Sequence, residues 1–453
     1  MKIGLIGNMN NNNFALMRYF RDLGVDAHLL LYINDGQGTI SHFKPEYDTW
    51  DIEKWAPYIL QTNIPNAPVS ALDFPLSWLV AGRAMFRTCL GLQEGWAQCV
   101  SRRQIRNAYT GFDRLVASGI SPATLLRANL RLDIFYPYST GVEFLETGEF
   151  VAQFSTGSKY FNLIRRKVAE RQAKGVMSAF NSVNSEMAVT QDTFLSIGVT
   201  PRVLNTPSVY NRELLPDLAP TENLHRIAGL IRSTSFSIFH QSRLMWKNNG
   251  QFSDEDWRLE SKNTQWLIHA FAQLVSARPE LKPLLLIIEY GPDVGPTKQL
   301  AKELGIADCI EWLPKMGRRE LLWVLSRVSV GCGEFYDVPK MIWGGTGWEA
   351  LASGKPLLQG FNFELGEFEQ IYGYPQPPML PVRVQEDILA HLLEMADKPE
   401  KCEEIGQNAK IWFNRYNGIG LARKWLDILM APRMDESAEK YDRQTKTSHT
   451  YPR

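Results

Sequence analysis

Three glycines, a hydroxyl and a carboxylate fall within six residues in Gly344-Gly345-Thr346-Gly347-Trp348-Glu349. Glycines let backbone N–H groups come close to a ligand. A helix predicted to begin at Thr346 or Gly347 turns its free N–H groups and the positive end of its dipole to the same spot, which favours phosphate. Glu349, expected in the first turn, sets a carboxylate beside it. Gly354 ends the helix and Pro356 forbids its continuation. A plain loop–helix–strand connection with no ligand fits the local composition equally well. Near the start of the chain, Gly7 and Asn8 leave a first apolar strand, Lys2 to Ile6. That is the strand end where doubly wound sheets bind ligands, although a tight turn explains Gly7 as well.

The elements that would position these residues alternate between strand and helix. Phe14, Met17, Phe20 and Leu23 recur at helical spacing. Gly24 stops that helix, and Val25 to Tyr32 gives a second strand, the beginning of a doubly wound α/β unit. Arg114 to Pro122 reads as a strand leading into a loop and a helix N-terminus, and Leu132 to Gly141 as another strand ending in a polar loop. Val176 to Phe180 reads as another short strand before a helix from Ser185 to Ile197. Leu214-Leu215-Pro216-Asp217 is a linker candidate.

A second unit opens with a strand at Ser235 to Phe239. A helix follows with Leu267, Ala270, Phe271 and Leu274 on its apolar face. Leu284 to Glu289 is nearly continuous in apolar residues, as a buried parallel strand should be. Cys309 to Pro314 is a short strand and loop, and Val330 begins the strand that leads to the Gly344 loop. Asn408 to Tyr416 and Leu421 to Leu429 read as closing helices. From Pro432 the chain is polar and charged without apolar period, which predicts a disordered tail. The predicted division is 1–212, 225–408, a closing helical segment 409–431 and a tail 432–453.

Composition narrows the function. The 453 residues carry 49 Lys and Arg against 49 Asp and Glu, so the formal charge is zero and the basic footprint of a nucleic-acid binder is missing. The five cysteines (Cys89, Cys99, Cys309, Cys332, Cys402) form no Cys-x-x-Cys pair, which suggests a reduced, cytoplasmic protein. The N-terminal apolar run is too short for a signal peptide. Phe74 to Leu90 is interrupted by Arg83 and Arg87, too short and too charged to span a bilayer. Two basic stretches, Arg83 to Arg106 and Arg165 to Lys174, read first as solvated helix faces. Their functional reading is peripheral contact with anionic lipid.

Glu349-Ala350-Leu351-Ala352-Ser353-Gly354-Lys355-Pro356 resembles the donor-site signature of GT-B glycosyltransferases, specifically the retaining enzymes of family 4. The resemblance implies two Rossmann-like α/β domains facing a cleft, with C-terminal helices crossing back to the first. It implies a nucleotide sugar as donor substrate, no separate cofactor, and a glycan or lipid-linked acceptor at the inner membrane face. In that family a Glu, seven residues and a second Glu frame the loop, and the second, matching Glu349, binds the ribose hydroxyls. An Arg after the first strand of the donor domain and a Lys at the next helix bind the diphosphate. Arg243 and Lys262 match these, across an insertion. Lys247 lies nearer the usual spacing, but the helix after Lys262 matches better. The short strand and loop at Cys309 to Pro314 would carry the nucleobase, so Leu313 joins Gly344, Gly345, Thr346, Gly347, Gly7 and Asn8 as a donor-binding candidate. Loops such as Ser118-Gly119 and Ser139-Thr140-Gly141 would hold the acceptor.

One departure stands out. The first Glu of the family pair would fall at Met341, so a flexible apolar side chain replaces a carboxylate that contacts the donor sugar. Glu334 and Asp337 are the nearest acidic residues upstream. The departure also admits a rival reading, a non-catalytic domain pair that binds a sugar nucleotide or a partner. Gly345-Thr346-Gly347-Trp348-Glu349-Ala350 fits the dinucleotide pattern G-x-G-x-x-A, but Gly354 stops the helix after about two turns. Asp254-Glu255-Asp256 has the spacing of an Asp-x-Asp metal motif but follows no apolar strand, so no metal site is expected. Removing Glu349 is expected to weaken donor binding and leave the fold intact.

Overall fold

The structure is a computed structural model that describes residues 1–32, 45, 54–64, 101–119, 121–137, 170–184, 189–212, 221–250, 252–339 and 344–433. The described chain forms two compact units. One takes the residues up to Pro207 together with those from Leu421 on, and the other takes Ser208 to Gly420.

The first unit is a seven-stranded parallel sheet in the order β3-β2-β1-β4-β5-β6-β7. Its strands are β1 (Lys2–Ile6), β2 (Asp26–Leu31), β3 (Ile59–Gln61), β4 (Arg114–Ala117), β5 (Ile134–Phe135), β6 (Asn181–Asn184) and β7 (Arg202–Val203). β1 is central, with Ile6 beside Leu30 on one side and Ala117 on the other. That position explains its uninterrupted apolar run, since both faces are covered. Helix α1 (Asn12–Asp22) buries Phe14, Met17 and Phe20. It closes on Gly24 at φ 78°, with Val25 N–H donating to Phe20 O and Gly24 N–H to Arg21 O, a left-handed glycine stop. Helix α2 (Arg102–Tyr109) starts in a capping box between Ser101 and Gln104. It buries Ile105 and Tyr109 and leaves Arg102, Arg103 and Arg106 outside. Helices α3 (Ser121–Arg127) and α4 (Val189–Ser196) follow.

The residues from Val176 on, expected as a strand, begin inside a helix through 170–178; the strand comes later, at Asn181. Gln172 and Val176 lie one turn apart and are both buried, and Gly175 packs so closely on Pro122 that a Cβ would lie 2.5 Å from its backbone. A short apolar run does not distinguish strand from helix; here the one-turn spacing of the buried residues decided.

The second unit is a six-stranded parallel sheet, order β10-β9-β8-β11-β12-β13. The strands are β8 (Ser237–His240), β9 (Leu284–Ile288), β10 (Ile310–Leu313), β11 (Val330–Cys332), β12 (Leu357–Gly360) and β13 (Leu380–Val382). Its helices include α5 (Glu222–Arg232), α6 (Asp254–Glu260), α7 (Thr264–Ala277), α8 (Val294–Glu303), α9 (Arg318–Leu325), α10 (Gly345–Ala352), α11 (Glu367–Tyr372), α12 (Gln385–Asp397) and α13 (Pro399–Tyr416). One core joins Ile238, Leu285, Ile287, Val330 and Cys332 of the sheet to Leu267, Phe271 and Leu274 of α7. The insertion between Arg243 and Lys262 contains α6, and Asp254 is its exposed first residue.

α13 belongs to this unit. Trp412 stacks on Trp348 of α10 at 6.1 Å and 6°. Gly406 approaches so near that a Cβ there would lie 2.4 Å from Gly354 O. The chain returns to the first unit with the last helix, α14 (Ile419–Met430). Trp425 Nε1 donates to Asn205 O at 2.7 Å, Tyr136 meets the Trp425 ring edge to face, and Arg433 reaches both oxygens of buried Asp133 at 3.0 Å. Among the described residues no helix is long and apolar enough to cross a membrane.

Candidate functional site

Each sheet changes direction beside its first strand, between β1 and β4 in one unit and between β8 and β11 in the other. Open α/β sheets bind ligands outside the strand ends at such a point. The two places are built from similar parts and finished differently.

In the first unit Gly7 turns out of β1 at φ 77°, and its N–H donates to Leu30 O. Asn10 and Asn11 take left-handed backbone at φ 49° and 63°, which asparagine tolerates better than most residues. Asn8 and Asn13 are fully buried. Asn13 Nδ2 donates to Ile6 O and Gly7 O at 3.0 and 2.8 Å, and Tyr136 Oη donates to Asn13 Oδ1 at 2.7 Å. Asn8 Oδ1 accepts the Phe14 N–H, and Asn8 Nδ2 donates to Asn11. The loop after β4 is tied in the same way: buried Gln172 donates to Gly119 O at 2.7 Å and accepts the Ala123 N–H at 3.0 Å. Ser118 is the exception, a buried hydroxyl with no partner among the described residues.

In the second unit the residues after β8 and β11 face each other. Ser242 Oγ donates to Gly333 O at 3.1 Å and is the same distance from Thr346 Oγ1. Lys262 is gripped from both sides by its backbone: its N–H donates to Met245 O at 2.7 Å, and its carbonyl accepts the Phe335 N–H at 3.2 Å. Asn263, left-handed at φ 45°, caps the arrangement by donating to Phe335 O at 2.7 Å. The Lys262 ammonium then meets Glu334 Oε1 at 3.2 Å, bonds to the Tyr336 hydroxyl and lies 4.2 Å over that ring.

Helix α10 starts at Gly345, one residue before the expected range, with Gly344 as its N-cap and no side chain capping it. Glu349 is therefore its fifth residue and not in the first turn. It is buried, with Arg318 Nε on Oε1 at 2.9 Å and Gln241 Nε2 near Oε2 at 3.4 Å. Arg318 also donates to Ser208 O at 2.8 Å. Gln241 Nε2 reaches Thr346 O at 3.2 Å as well. Ala350 packs over Gly331 of β11, where a Cβ would come within 2.9 Å of its own. These ties fix α10 against the strand ends.

The structure thus brings Lys262, Gly344, Gly345, Thr346, Gly347 and Glu349 to one place through Ser242, Gln241 and Glu334. Arg243 follows β8, half-exposed, with Glu260 at 3.9 Å. Its stem passes Gly291, which sits at φ 119° and has no room for a side chain. Lys247 is held differently, its N–H on Asp293 Oδ2 at 2.8 Å and its ammonium 5.2 Å over Trp246. Leu313 ends β10 fully buried, and its carbonyl accepts the Glu289 N–H. Gly7 and Asn8 belong to the first unit. Met341, Ser139, Thr140, Gly141, Arg83, Arg87, Arg165, Arg166, Lys167 and Leu214 to Asp217 lie outside the described residues, as does the tail beyond Arg433.

Gln241, Ser242, Arg318 and Tyr336 were not singled out in the sequence. The first two directly follow β8, so the strand-end rule could have found them; Arg318 carries no local signal. His240, the last residue of β8, is fully buried, and among the described residues neither ring nitrogen has a hydrogen-bond partner. Burial pushes its pKa down to about 4, so it is neutral near pH 7. Among the described residues no cluster of His, Cys, Asp and Glu could hold a metal.

No protein-family model matches the sequence. Over 215 residues the chain is 27% identical to the MMP alpha-(1->4)-mannosyltransferase of Mycolicibacterium hassiacum, covering 46% of this chain and 49% of that protein. The chain thus matches about half the length of that curated relative. Among solved structures it is similar to HepE of Anabaena in complex with UDP and glucose, at TM-score 0.54 and 13% identity over 94% of this chain and 98% of that one. It is similar also to sucrose-phosphate synthase from Thermosynechococcus elongatus, at TM-score 0.53 and 12% identity over 94% and 98%. These likenesses show the fold, which is that of the GT-B glycosyltransferases.

Proposed function

We propose that this chain is a glycosyltransferase that moves a sugar from a nucleotide-sugar donor to an acceptor hydroxyl. The observation that carries the proposal is the convergence of Lys262, the uncapped start of α10 and Glu349 at the switch point of the second sheet. As the glycosidic bond to the diphosphate breaks, negative charge gathers on the leaving group. Lys262 and the positively polarised N-terminal end of α10 are fixed partners for that charge, and half-exposed Arg243, after β8, would add a second cation. Glu349 is oriented by Arg318 and Gln241 and, as a carboxylate with about four acceptor positions, keeps capacity for ribose hydroxyls. The mannosyl transfer named for the Mycolicibacterium relative, the sucrose-phosphate synthase activity and the UDP bound by HepE support the same reading.

Transfer with retention, a glycan or lipid-linked acceptor and a place in glycoconjugate synthesis at the cytoplasmic membrane face complete the proposal. They follow from the family resemblance. The deciding experiment incubates the protein with a panel of nucleotide sugars and follows nucleoside diphosphate release. Binding of nucleotide without release for any donor or acceptor tried would leave the non-catalytic reading in its place. Because side-chain cations and a helix end can supply what a metal supplies to a diphosphate, the activity is proposed to be metal-independent. Loss of release with a chelator and recovery with manganese would reject that part.

A further inference from the structure

We infer that the insertion between β8 and α7 is a strap that answers to nucleotide: phosphate bound at Arg243 takes the guanidinium from Glu260, and the loss of that ion pair frees the strap. The inference rests on the nucleotide-sugar reading above, and it concerns the segment by which this chain departs from the resembled spacing. The strap is fastened at its root. Lys262 N–H donates to Met245 O at 2.7 Å, so the chain re-enters the fold beside the point where it left. On the departing side, the N–H groups of Trp246 and Lys247 both donate to buried Asp293 Oδ2, at 2.5 and 2.8 Å, and Trp246 Nε1 donates to Thr297 Oγ1 at 2.9 Å. Beyond the root the strap packs on itself. Asn248 Nδ2 donates to Phe252 O at 3.2 Å, and the Phe252 and Trp257 rings lie 5.9 Å apart. A surface loop with close ends and its own small apolar contact can shift as one piece.

Among the described residues, two ion pairs tie that piece to the phosphate site, both from α6. Arg258 Nη2 reaches Asp337 Oδ2 at 3.1 Å, with more than half of each side chain exposed. Asp337 follows Tyr336, whose hydroxyl meets Lys262. Glu260 faces Arg243 Nη2 at 3.9 Å, both half-exposed. Exposed pairs of this kind hold weakly. The second is the weaker in geometry: 3.9 Å is too long for a hydrogen bond, so Glu260 supplies a countercharge and does not consume the guanidinium donors. A diphosphate oxygen can accept those N–H groups at hydrogen-bond distance, and such a charge-assisted bond is the stronger contact. Its negative charge also repels Glu260. Arg243 cannot slide between the two partners, because its stem lies against Gly291, where a Cβ would stand 2.9 Å from Arg243 Cγ. The guanidinium therefore swings about a fixed stem, toward Glu260 or toward phosphate.

The test follows deuterium uptake by peptides spanning Phe252 to Glu260 in wild type, Glu260→Gln and Arg258→Ala. Each is measured alone and saturated with whichever of UDP, GDP, ADP, CDP or TDP binds in calorimetry, and thermal unfolding checks that each variant folds. In wild type, bound nucleotide should raise the uptake rate there at least about twofold. Glu260→Gln keeps the shape and removes the charge, so its strap should exchange at the faster rate before nucleotide is added. It should also bind the nucleotide about twofold to fivefold more tightly, since no carboxylate competes for Arg243. Arg258→Ala should loosen the strap and leave the affinity as in wild type. Uptake that is unchanged or slower with nucleotide overturns the inference, the slower case making the strap a cover that closes on ligand. Equal or weaker binding by Glu260→Gln overturns it too, since Glu260 would then be idle or would orient Arg243 for phosphate. So does an equal gain in affinity by Arg258→Ala, which would trace the effect to loosening rather than to competition. Each of these results leaves nucleotide binding, and the donor reading, in place. If wild type binds no nucleoside diphosphate, that reading fails, and this inference with it.

Discussion

The two switch points follow one plan, a strand, a glycine-bearing turn and a helix, yet among the described residues the second leaves more bonding capacity unspent than the first, where Ser118 alone stands out. In the first unit Asn8, Asn13 and Gln172 turn inward and bond to backbone or to neighbouring side chains. In the second, Lys262 keeps a third N–H, Glu334 a second oxygen, and α10 has no side-chain cap. Gln241 Oε1 and Thr264 Oγ1 are buried there without partners among the described residues. A glycine at a strand end is thus an opportunity for a ligand, and the neighbouring polar side chains decide whether it is closed by the protein or kept for something else.

The comparison breaks most sharply at the cations. Lys262→Ala or Arg243→Ala should lower turnover by about 3–4 kcal/mol in barrier, hundreds-fold in kcat, with a smaller change in donor KM. Lys247→Ala should be near wild type; a crippled Lys247 variant beside a silent Lys262 variant would relocate the phosphate site.

Acid should affect the second switch point through His240. Its pKa falls from the ordinary 6.5 to about 4 in the folded chain. Between those values the unfolded chain holds a proton that the folded chain does not. Stability is therefore complete above about pH 6.5 and lost as pH falls toward 4, by about 3 kcal/mol in all. Urea unfolding across that range should show the slope, and His240→Leu should flatten it. An unchanged slope would remove His240 from the account.

Glu349→Ala should weaken donor binding tenfold to a hundredfold, the worth of a charge-assisted hydrogen bond of about 1.5–3 kcal/mol. Its pairing with Arg318 revises the expectation that the fold would be untouched. Taking one partner from a buried ion pair is strongly destabilising, so the variant should also melt earlier, and calorimetry belongs well below that midpoint. Unaltered nucleotide affinity would withdraw Glu349 from the site.

The smallest effect on ligand is expected from Asn13→Ala. It should cost about 1–3 kcal/mol of stability in denaturant titration, because Ile6 O, Gly7 O and the Tyr136 hydroxyl lose a buried partner. Nucleotide affinity should stay the same. A large affinity loss would mean that the closed turn also serves the donor.

The sheets were legible because buried parallel strands such as β1 and β9 are written as apolar runs. The α10 helix was legible to within a residue at its start, expected at Thr346 or Gly347 and found at Gly345, because its glycines and its stop at Gly354 have local causes. What escaped depends on distance along the chain. Lys262 meets Tyr336 across 74 residues and Glu349 meets Arg318 across 31, and no spacing rule links them. Asn8 illustrates the opposite difficulty: its type and place suit a ligand, and only the bonds to Phe14 and Asn11 show the amide turned inward. Val176 carries the same lesson for secondary structure, since the helix there shows only in the one-turn spacing of buried Gln172 and Val176 and in the close packing of Gly175 on Pro122.

The return of α14 to the first unit has a consequence for how the protein is made. Trp425 covers Tyr136 and bonds to Asn205, Arg114 donates to Leu429 O, and Arg433 neutralises Asp133. All of these partners emerge from the ribosome long before the helix that completes them. The second unit, ending at Gly420, is synthesised whole while the first still waits with an aromatic ring and a carboxylate uncovered. A chain truncated before Leu421 should therefore carry a finished second unit and an unfinished first one, which makes the earliest-translated half the last to become protease-resistant.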